Sequence, residues 1–248
     1  MTDLTVTVLG SSGSYAAPGN PCTGFLVRSA DAAVLYDCGP GTAGPLQEAI
    51  DLEDLTVIVV SHCHPDHWLE LPVLRNVFTW FVPRSDIAVY STARTAEMDA
   101  AVTVRVPGAP SPFDWTVIDA SSRLTIGDQS WSFEQTDHPV ETLAARVEVG
   151  DASVMFTSDS GPRWTFEEFG RDVGAAFCDA SHLSDHEDQG IPHMSAREAA
   201  IRAEAAGARR LVLTHLIPGS DRDAHRAEAE AAYGGPVDVA VSGSVFEF

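Results

Sequence analysis

Four side chains able to bind a metal fall within six residues, in His62-Cys63-His64-Pro65-Asp66-His67, directly after the apolar run Val57-Ile58-Val59-Val60. Alternate residues of an extended chain point the same way, so His62 and His64 can converge on one ion. After the turn that Pro65 imposes, Asp66 and His67 can face a second. Imidazole suits zinc, and the carboxylates leave manganese or iron open. A polar cluster of this density rarely interrupts a buried strand without something to hold. Two ions need further donors, and three stand where apolar runs end: His138 in Thr136-Asp137-His138-Pro139, Asp159 in Thr157-Ser158-Asp159-Ser160-Gly161, and His215 in Leu213-Thr214-His215-Leu216. Each alone reads more readily as a loop residue. Together with the first cluster they make seven candidate ligands.

Positioning such residues requires strands that end at a common rim. Alternating or continuous apolar runs predict strands at Thr5–Leu9, Gly24–Arg28, Ala33–Asp37, Val57–Ser61, Ile87–Ser91, Trp115–Asp119, Trp131–Thr136, Leu143–Val149, Ser153–Thr157, Ala175–Cys178, Leu211–Thr214, Val237–Val241 and Ser244–Phe248. Helical spacing predicts Trp68–Phe81, interrupted early by Pro72, and Asp221–Ala232. A third helix, Ser195–Ala206, opens on the capping-box pattern Ser195-Ala196-Arg197-Glu198 and stops at Gly207. There is no repeat, low-complexity tract or long linker. The best break, Pro107–Pro112, suffices as a loop, so one domain over residues 1–248 is expected.

The 248-residue chain can bury a substantial core. It carries 36 acidic residues against 15 basic ones, all of them arginine, for a net charge of −21. That charge repels polyanions, because nucleic-acid affinity comes largely from cations that neutralise phosphates; DNA and long RNA are not expected partners. No apolar run reaches the ~18 residues of a membrane span, and Met1-Thr2-Asp3 lacks the basic start of a secretory leader. The cysteines Cys22, Cys38, Cys63 and Cys178 form no CxxC pair and read as buried apolar residues in a reducing cytoplasm.

His62-Cys63-His64-Pro65-Asp66-His67 resembles the HxHxDH signature of metallo-β-lactamase-fold hydrolases, and His138, Asp159 and His215 fit that family's later motifs in order. The resemblance runs from Leu9-Gly10-Ser11-Ser12-Gly13 to the last strand. It implies an α/β fold, a four-layer αββα sandwich of two similar halves with metals at one edge. It also implies that His62, His64 and His138 hold one ion, that Asp66, His67 and His215 hold the other, and that Asp159 bridges. Two divalent ions, zinc first with manganese or iron as alternatives, lower the pKa of a bridging water and clamp the entering and leaving oxygens of a displacement. Asp66 then counts among the catalytic residues as well as the ligands.

The same chemistry serves phosphodiesters, lactones and lactams. Phe177-Cys178-Asp179-Ala180-Ser181, followed by Ile191-Pro192-His193-Met194-Ser195 and a helix, resembles the phosphodiesterase branch that contains the tRNA 3′-processing endonucleases. There a carboxylate-held histidine protonates the leaving alkoxide; here the pair would be His193 and Asp179. Only 20 residues lie between His138 and Asp159, which leaves no room for a tRNA-gripping arm. The nearer likeness, which includes His138-Pro139-Val140-Glu141-Thr142, is to compact actinobacterial members linked to cyclic-nucleotide phosphodiesterase activity. The expectation is hydrolysis of a small phosphodiester, first a 3′,5′-cyclic nucleotide. The alternatives are a ribonuclease Z-like RNA 3′-end nuclease, a lactonase or β-lactamase-type acyl hydrolase, and a non-catalytic binding protein. A homodimer is suggested by the resemblance alone, and no membrane partner is expected.

Weaker features are open to more than one reading. Gly10-Ser11-Ser12-Gly13-Ser14 reads as a phosphate nest or a tight turn, and the stretch His182–Gly190 as a metal site, a lid or a solvated acidic loop. Arg163 could meet a phosphate or lie free on the surface. Trp68 and Trp80 are expected in the core, and His225 on the surface.

Overall fold

The computed structural model describes residues 4–104 and 110–248. Met1–Asp3, on which the expectation about a leader rests, and Pro107–Ala109 of the expected break lie outside them. In chain order the strands are β1 (Thr5–Gly10), β2 (Gly24–Arg28), β3 (Ala33–Cys38), β4 (Val57–Val60), β5 (Ile87–Ser91), β6 (Phe113–Val117), β7 (Arg123–Ile126), β8 (Gln129–Gln135), β9 (Leu143–Val149), β10 (Ala152–Phe156), β11 (Ala175–Asp179), β12 (Leu211–Thr214), β13 (Val237–Val239) and β14 (Val245–Glu247). They form two seven-stranded sheets, ordered β14-β1-β2-β3-β4-β5-β6 and β13-β12-β11-β10-β9-β8-β7. In each sheet antiparallel pairing gives way to parallel pairing, from β3 to β6 in one and from β10 to β13 in the other.

The period of two along each strand decides the layering. Val34, Tyr36, Val57 and Val59 of the first sheet face Val154, Phe156, Ala175, Phe177 and Val212 of the second in one shared core. Their neighbours Leu35, Ile58 and Val60 point the other way, onto Leu46 of helix α1 (Ala43–Ala49) and onto Leu71, Leu74 and Phe78. On the far side, Met155, Ala176, Cys178, Leu211 and Leu213 pack on the alanine face of a long helix, Ala196, Ala199, Ala200 and Ala203. Three cores therefore separate four layers, as expected of the αββα sandwich. Phe25, Tyr36, Phe156 and Phe177 interlock with centroids 4.8–5.7 Å apart between the sheets. Each such buried aromatic is worth about 1.5–3 kcal/mol relative to exposure.

The expected helix from Trp68 to Phe81 is two: α2 (Pro65–Trp68) and α3 (Leu71–Trp80), the second restarting with Pro72 in its first turn, where a missing N–H costs nothing. Trp68 is buried, but Trp80 is 55% exposed, contrary to expectation. The buried face of α3 is Leu71, Leu74 and Phe78, and Trp80 stands about 200° round the helix from Phe78. The remaining helices are α4 (Ala93–Val102), α5 (Ala196–Ala206) and α6 (Arg222–Glu230). The α5 capping box is present: Ser195 accepts from the Glu198 N–H, Glu198 accepts from the Ser195 N–H, and Gly207 closes the helix in the left-handed conformation. His225 is buried rather than on the surface, because α6 turns His225 and Ala229 inward. Among the described residues, no helix is long and apolar enough to cross a membrane.

Candidate metal centre and active site

Asp37 is the penultimate residue of β3, His62 follows β4, His138 follows β8, Asp159 follows β10, Asp179 ends β11 and His215 follows β12. Carboxyl ends of strands are where open α/β sheets present their ligand-binding groups. The two sheets bring these ends together along one edge. The backbone bends hard there: Asp37, Ser158 and His215 hold φ of 55, 53 and 59°, conformations that cost of order 1–3 kcal/mol each and that the surrounding hydrogen bonds must enforce.

The seven residues singled out by sequence meet. Ligand atoms of His62, His64, His138 and Asp159 lie within 4.8 Å of one another, and so do those of Asp66, His67 and His215. Asp159 faces both groups. Its Oδ2 lies 3.4 Å from His62 Nε2 and 3.7 Å from His138 Nε2, while its Oδ1 lies 3.0 Å from His67 Nε2 and 3.2 Å from His215 Nε2. His138 Nε2 and His64 Nδ1 stand 3.1 Å apart.

Outer hydrogen bonds fix which ring nitrogen faces inward. Asp37 accepts from His67 Nδ1 at 2.8 Å, and the Pro192 carbonyl accepts from His138 Nδ1 at 3.2 Å, so both rings offer Nε2 to the centre. Ser61 lies 3.0 Å from His62 Nδ1 and donates to Asp37, whereas Ser181 lies 3.0 Å from His215 Nδ1. The Ser14 N–H donates to Asp66 Oδ2 at 2.7 Å. Asp37 and Ser61 have no functional role in the sequence reading, and Ser14 and Ser181 enter it only as members of longer motifs. Asp37 left the same trace as the histidines, a polar residue closing an apolar strand before Gly39-Pro40-Gly41.

Do these residues suit a divalent metal? His67 Nε2 and Asp159 Oδ1 are close but misaligned for a hydrogen bond, and with His62 Nε2 they are buried without a partner. Each unsatisfied group costs about 1–3 kcal/mol, a penalty that coordination removes. Burial and the neighbouring His67 push His62 down to about 4, and burial also lowers His64 and His138, so these three rings are neutral ligands at pH 7. Burial opposes charge on His67 and His215 too. There Asp159 leads the opposing charges, joined by Asp37 at His67 and by Asp66 at His215, and both rings rise. Burial works against Asp66 and Asp159, but His215 and His67 hold both carboxylates below the usual range. Three neutral imidazoles, two more whose protons a cation would replace, and buried carboxylates that demand positive charge fit a metal.

His193 stands beside this centre. Its Nδ1 is 2.7 Å from Asp179 Oδ2, and its ring stacks on His215 with centroids 5.1 Å apart. Asp179 is fully buried and also accepts from the Ser160 and Ser181 N–H groups and the Ser181 hydroxyl. Burial pulls His193 down, but Asp179 outweighs it and raises the imidazole to about 9.

The weaker features resolve as follows. The N–H groups of Ser11, Ser12, Gly13 and Ser14 are bound by Asn20, Pro21, Leu216 and Asp66, so the loop is a supporting turn and not a phosphate nest. Arg163 is 85% exposed and 3.6 Å from Asp137. The acidic stretch is tied down: Ser184 bonds Glu228 of α6, and Glu187 bonds Ser195 and Arg197.

Two helix-flanked mixed sheets with a histidine–aspartate centre at their shared edge define a metallo-hydrolase. The family model for the beta-lactamase superfamily domain matches residues 32–216, and the chain belongs to that superfamily, with the metallo-β-lactamase fold. It is 29% identical over 248 residues to the probable metallo-hydrolase YhfI of Bacillus subtilis, covering 98% of this chain and all of YhfI. It is also 31% identical to a ribonuclease Z of a Mycobacterium species, covering 94% and 91% of the two chains. The crystal structure of YhfI superposes with a TM-score of 0.89 at 28% identity over 99% of both chains. A diphosphatase of the PhnP family, with a TM-score of 0.75 at 21% identity over 99% of this chain and 98% of its own, shares the fold.

Proposed function

We propose that this protein hydrolyses small phosphodiesters, with a 3′,5′-cyclic nucleotide as first candidate. One ion would be held by His62, His64 and His138, the other by Asp66, His67 and His215, with one Asp159 oxygen offered to each. Zinc is the first choice for this nitrogen-rich set, and the bound pair would supply Lewis-acid activation of water and of the phosphoryl group.

The observation that carries the reading is the His193–Asp179 contact of 2.7 Å beside the centre. A cyclic phosphodiester expels an alkoxide, which needs a proton as it leaves. His193 carries one, Asp179 fixes the ring so that Nε2 is the donor, and proton transfer of this kind is typically worth 10²–10⁴ in rate. Phosphorus–oxygen chemistry is also named in the ribonuclease Z relatives and the PhnP-family diphosphatase.

An RNA 3′-end nuclease is the second reading, favoured by those ribonuclease Z relatives. Against it stand the net charge of −21 and the segment between His138 and Asp159, which is the plain hairpin β9–β10 with no added arm. The reading places the enzyme in a reducing cytoplasm, in accord with four buried, unpaired cysteines.

The test is chromatographic. Protein loaded with Zn²⁺ or Mn²⁺ should convert 3′,5′-cyclic AMP to the monophosphate, and Asp159→Ala should not. A folded, metal-filled protein that turns over lactones and no phosphodiester would overturn the proposal.

A further inference from the structure

A second cavity adjoins the centre. It encloses about 570 Å³, within the range of small-molecule sites, and it meets the centre at Ser14 and His193. Its wall is made by Leu183, Ile191 and Ile217 together with Asp185, Asp221 and His225. The histidine cluster draws anions; in this wall His182 and His186 also take part, but Asp185 lies 2.7 Å from His186 Nδ1 and Asp221 adds a second carboxylate, so the wall offers an anion no excess of positive charge. An uncharged, flat, partly polar group suits it, and in a phosphodiester that is the half remote from phosphorus.

His225 sharpens the chemistry. Its Nδ1 lies 2.8 Å from the Asp221 carbonyl oxygen, which can only accept, so Nδ1 carries the proton and Nε2 is left with a lone pair. That Nε2 is buried and has no partner, on a side chain whose residue is 1% exposed. Asp221 uses only Oδ1 to cap α6. The polar groups in this wall are therefore chiefly acceptors, and they call for a ligand with N–H donors.

We propose that this cavity, lined by Leu183, Ile191, Ile217, Asp185, Asp221 and His225, seats the nucleobase of a nucleoside phosphodiester and selects bases with an exocyclic amino group. Adenine and cytosine present an amino group with two N–H donors; uracil presents the single N3–H between two carbonyl oxygens and leaves one of the acceptors unmatched. The inference rests on the phosphodiesterase reading above and adds the side of the substrate that the metal centre does not touch.

The experiment compares kcat/KM of the zinc-loaded enzyme for cyclic AMP, cyclic CMP and cyclic UMP, with bis(p-nitrophenyl) phosphate as a base-free diester. His225→Leu and Ile217→Ala are measured beside the wild type. The amino-bearing nucleotides should exceed cyclic UMP about tenfold or more, mainly through KM, as expected when a buried polar group goes unmatched. His225→Leu should bring that ratio close to one. Equal kcat/KM for all three bases, or a ratio that neither variant moves, with the base-free diester still hydrolysed, overturns the base pocket and leaves the phosphodiesterase reading standing. If no diester is hydrolysed, that reading fails instead, and calorimetry with adenosine and uridine decides the pocket. Adenosine binding that His225→Leu weakens supports it; no preference between the nucleosides overturns it.

Discussion

The Asp37 carboxylate and the His67 imidazole, thirty residues apart in sequence, meet at 2.8 Å behind the candidate metal centre. Asp37 also accepts from the Ser61 N–H and hydroxyl, so one buried carboxylate ties the end of β3 to the chain that carries His62 and sets the inward nitrogen of His67.

Asp37→Asn should keep the shape and lose the charge. Outer-shell changes of this kind cost about 10–100-fold in metal affinity. Titration with a competing chelator should show that loss at the Asp66-His67-His215 side, with near-native circular dichroism. Unchanged affinity would mean that Asp37 acts only in folding.

His193→Ala should lower kcat for cyclic AMP by about 10²–10⁴. Its effect on bis(p-nitrophenyl) phosphate should be much smaller, since nitrophenolate departs without a proton. Equal losses on both substrates would assign His193 to binding or packing instead of proton delivery.

The imidazole of His193 rises from 6.5 to about 9. Its protonated form is favoured by the fold, so the associated stability is fully present below pH 6.5 and is lost as pH rises through about 9. Turnover of cyclic AMP should decline over the same window, and Asp179→Asn should move the alkaline limb to lower pH. A limb that stays in place in Asp179→Asn would dissociate it from His193.

A Cβ on Gly13 would stand 2.5 Å from the His215 carbonyl oxygen and 2.7 Å from its Nδ1. Gly13→Ala must therefore push His215 away, at about the 1–3 kcal/mol of an overpacked site. A lower melting temperature together with reduced metal content should follow. A native melt with full metal would show that the turn gives way instead.

Much of this was legible in the residue order because strands and ligands share one signal, an apolar run that stops on a polar residue. That pattern predicts β2, β5, β9 and β12 at their observed limits, and it singles out seven side chains that the fold brings together. What stayed hidden lacks the pattern. Helix α1 contains Gly44 and Pro45 and is anchored by Leu46 alone, and α4 buries Thr95 and Asp99 in place of an apolar stripe. The edge strand β7 has only Leu124 and Ile126 to mark it. His225 and Trp80 were misplaced for a related reason: each lies on a helix whose composition does not say which face is covered. The outer hydrogen bonds from Ser14, Ser61 and Ser181 join residues distant in sequence, and only the fold pairs them.

Each of the two donor groups draws on both sheets, with His62 and His64 joined by His138 and Asp159, and Asp66 and His67 joined by His215. During synthesis the first four of these residues leave the ribosome long before His215 exists. In the proposed assignment one site waits for Asp159 and the other for His215, so neither is complete until well over half of the chain has been made. Metal is then chosen by the folded protein from whatever pool surrounds it, so the ion found in cells should report where and when the chain matures as much as the intrinsic preference of its ligands.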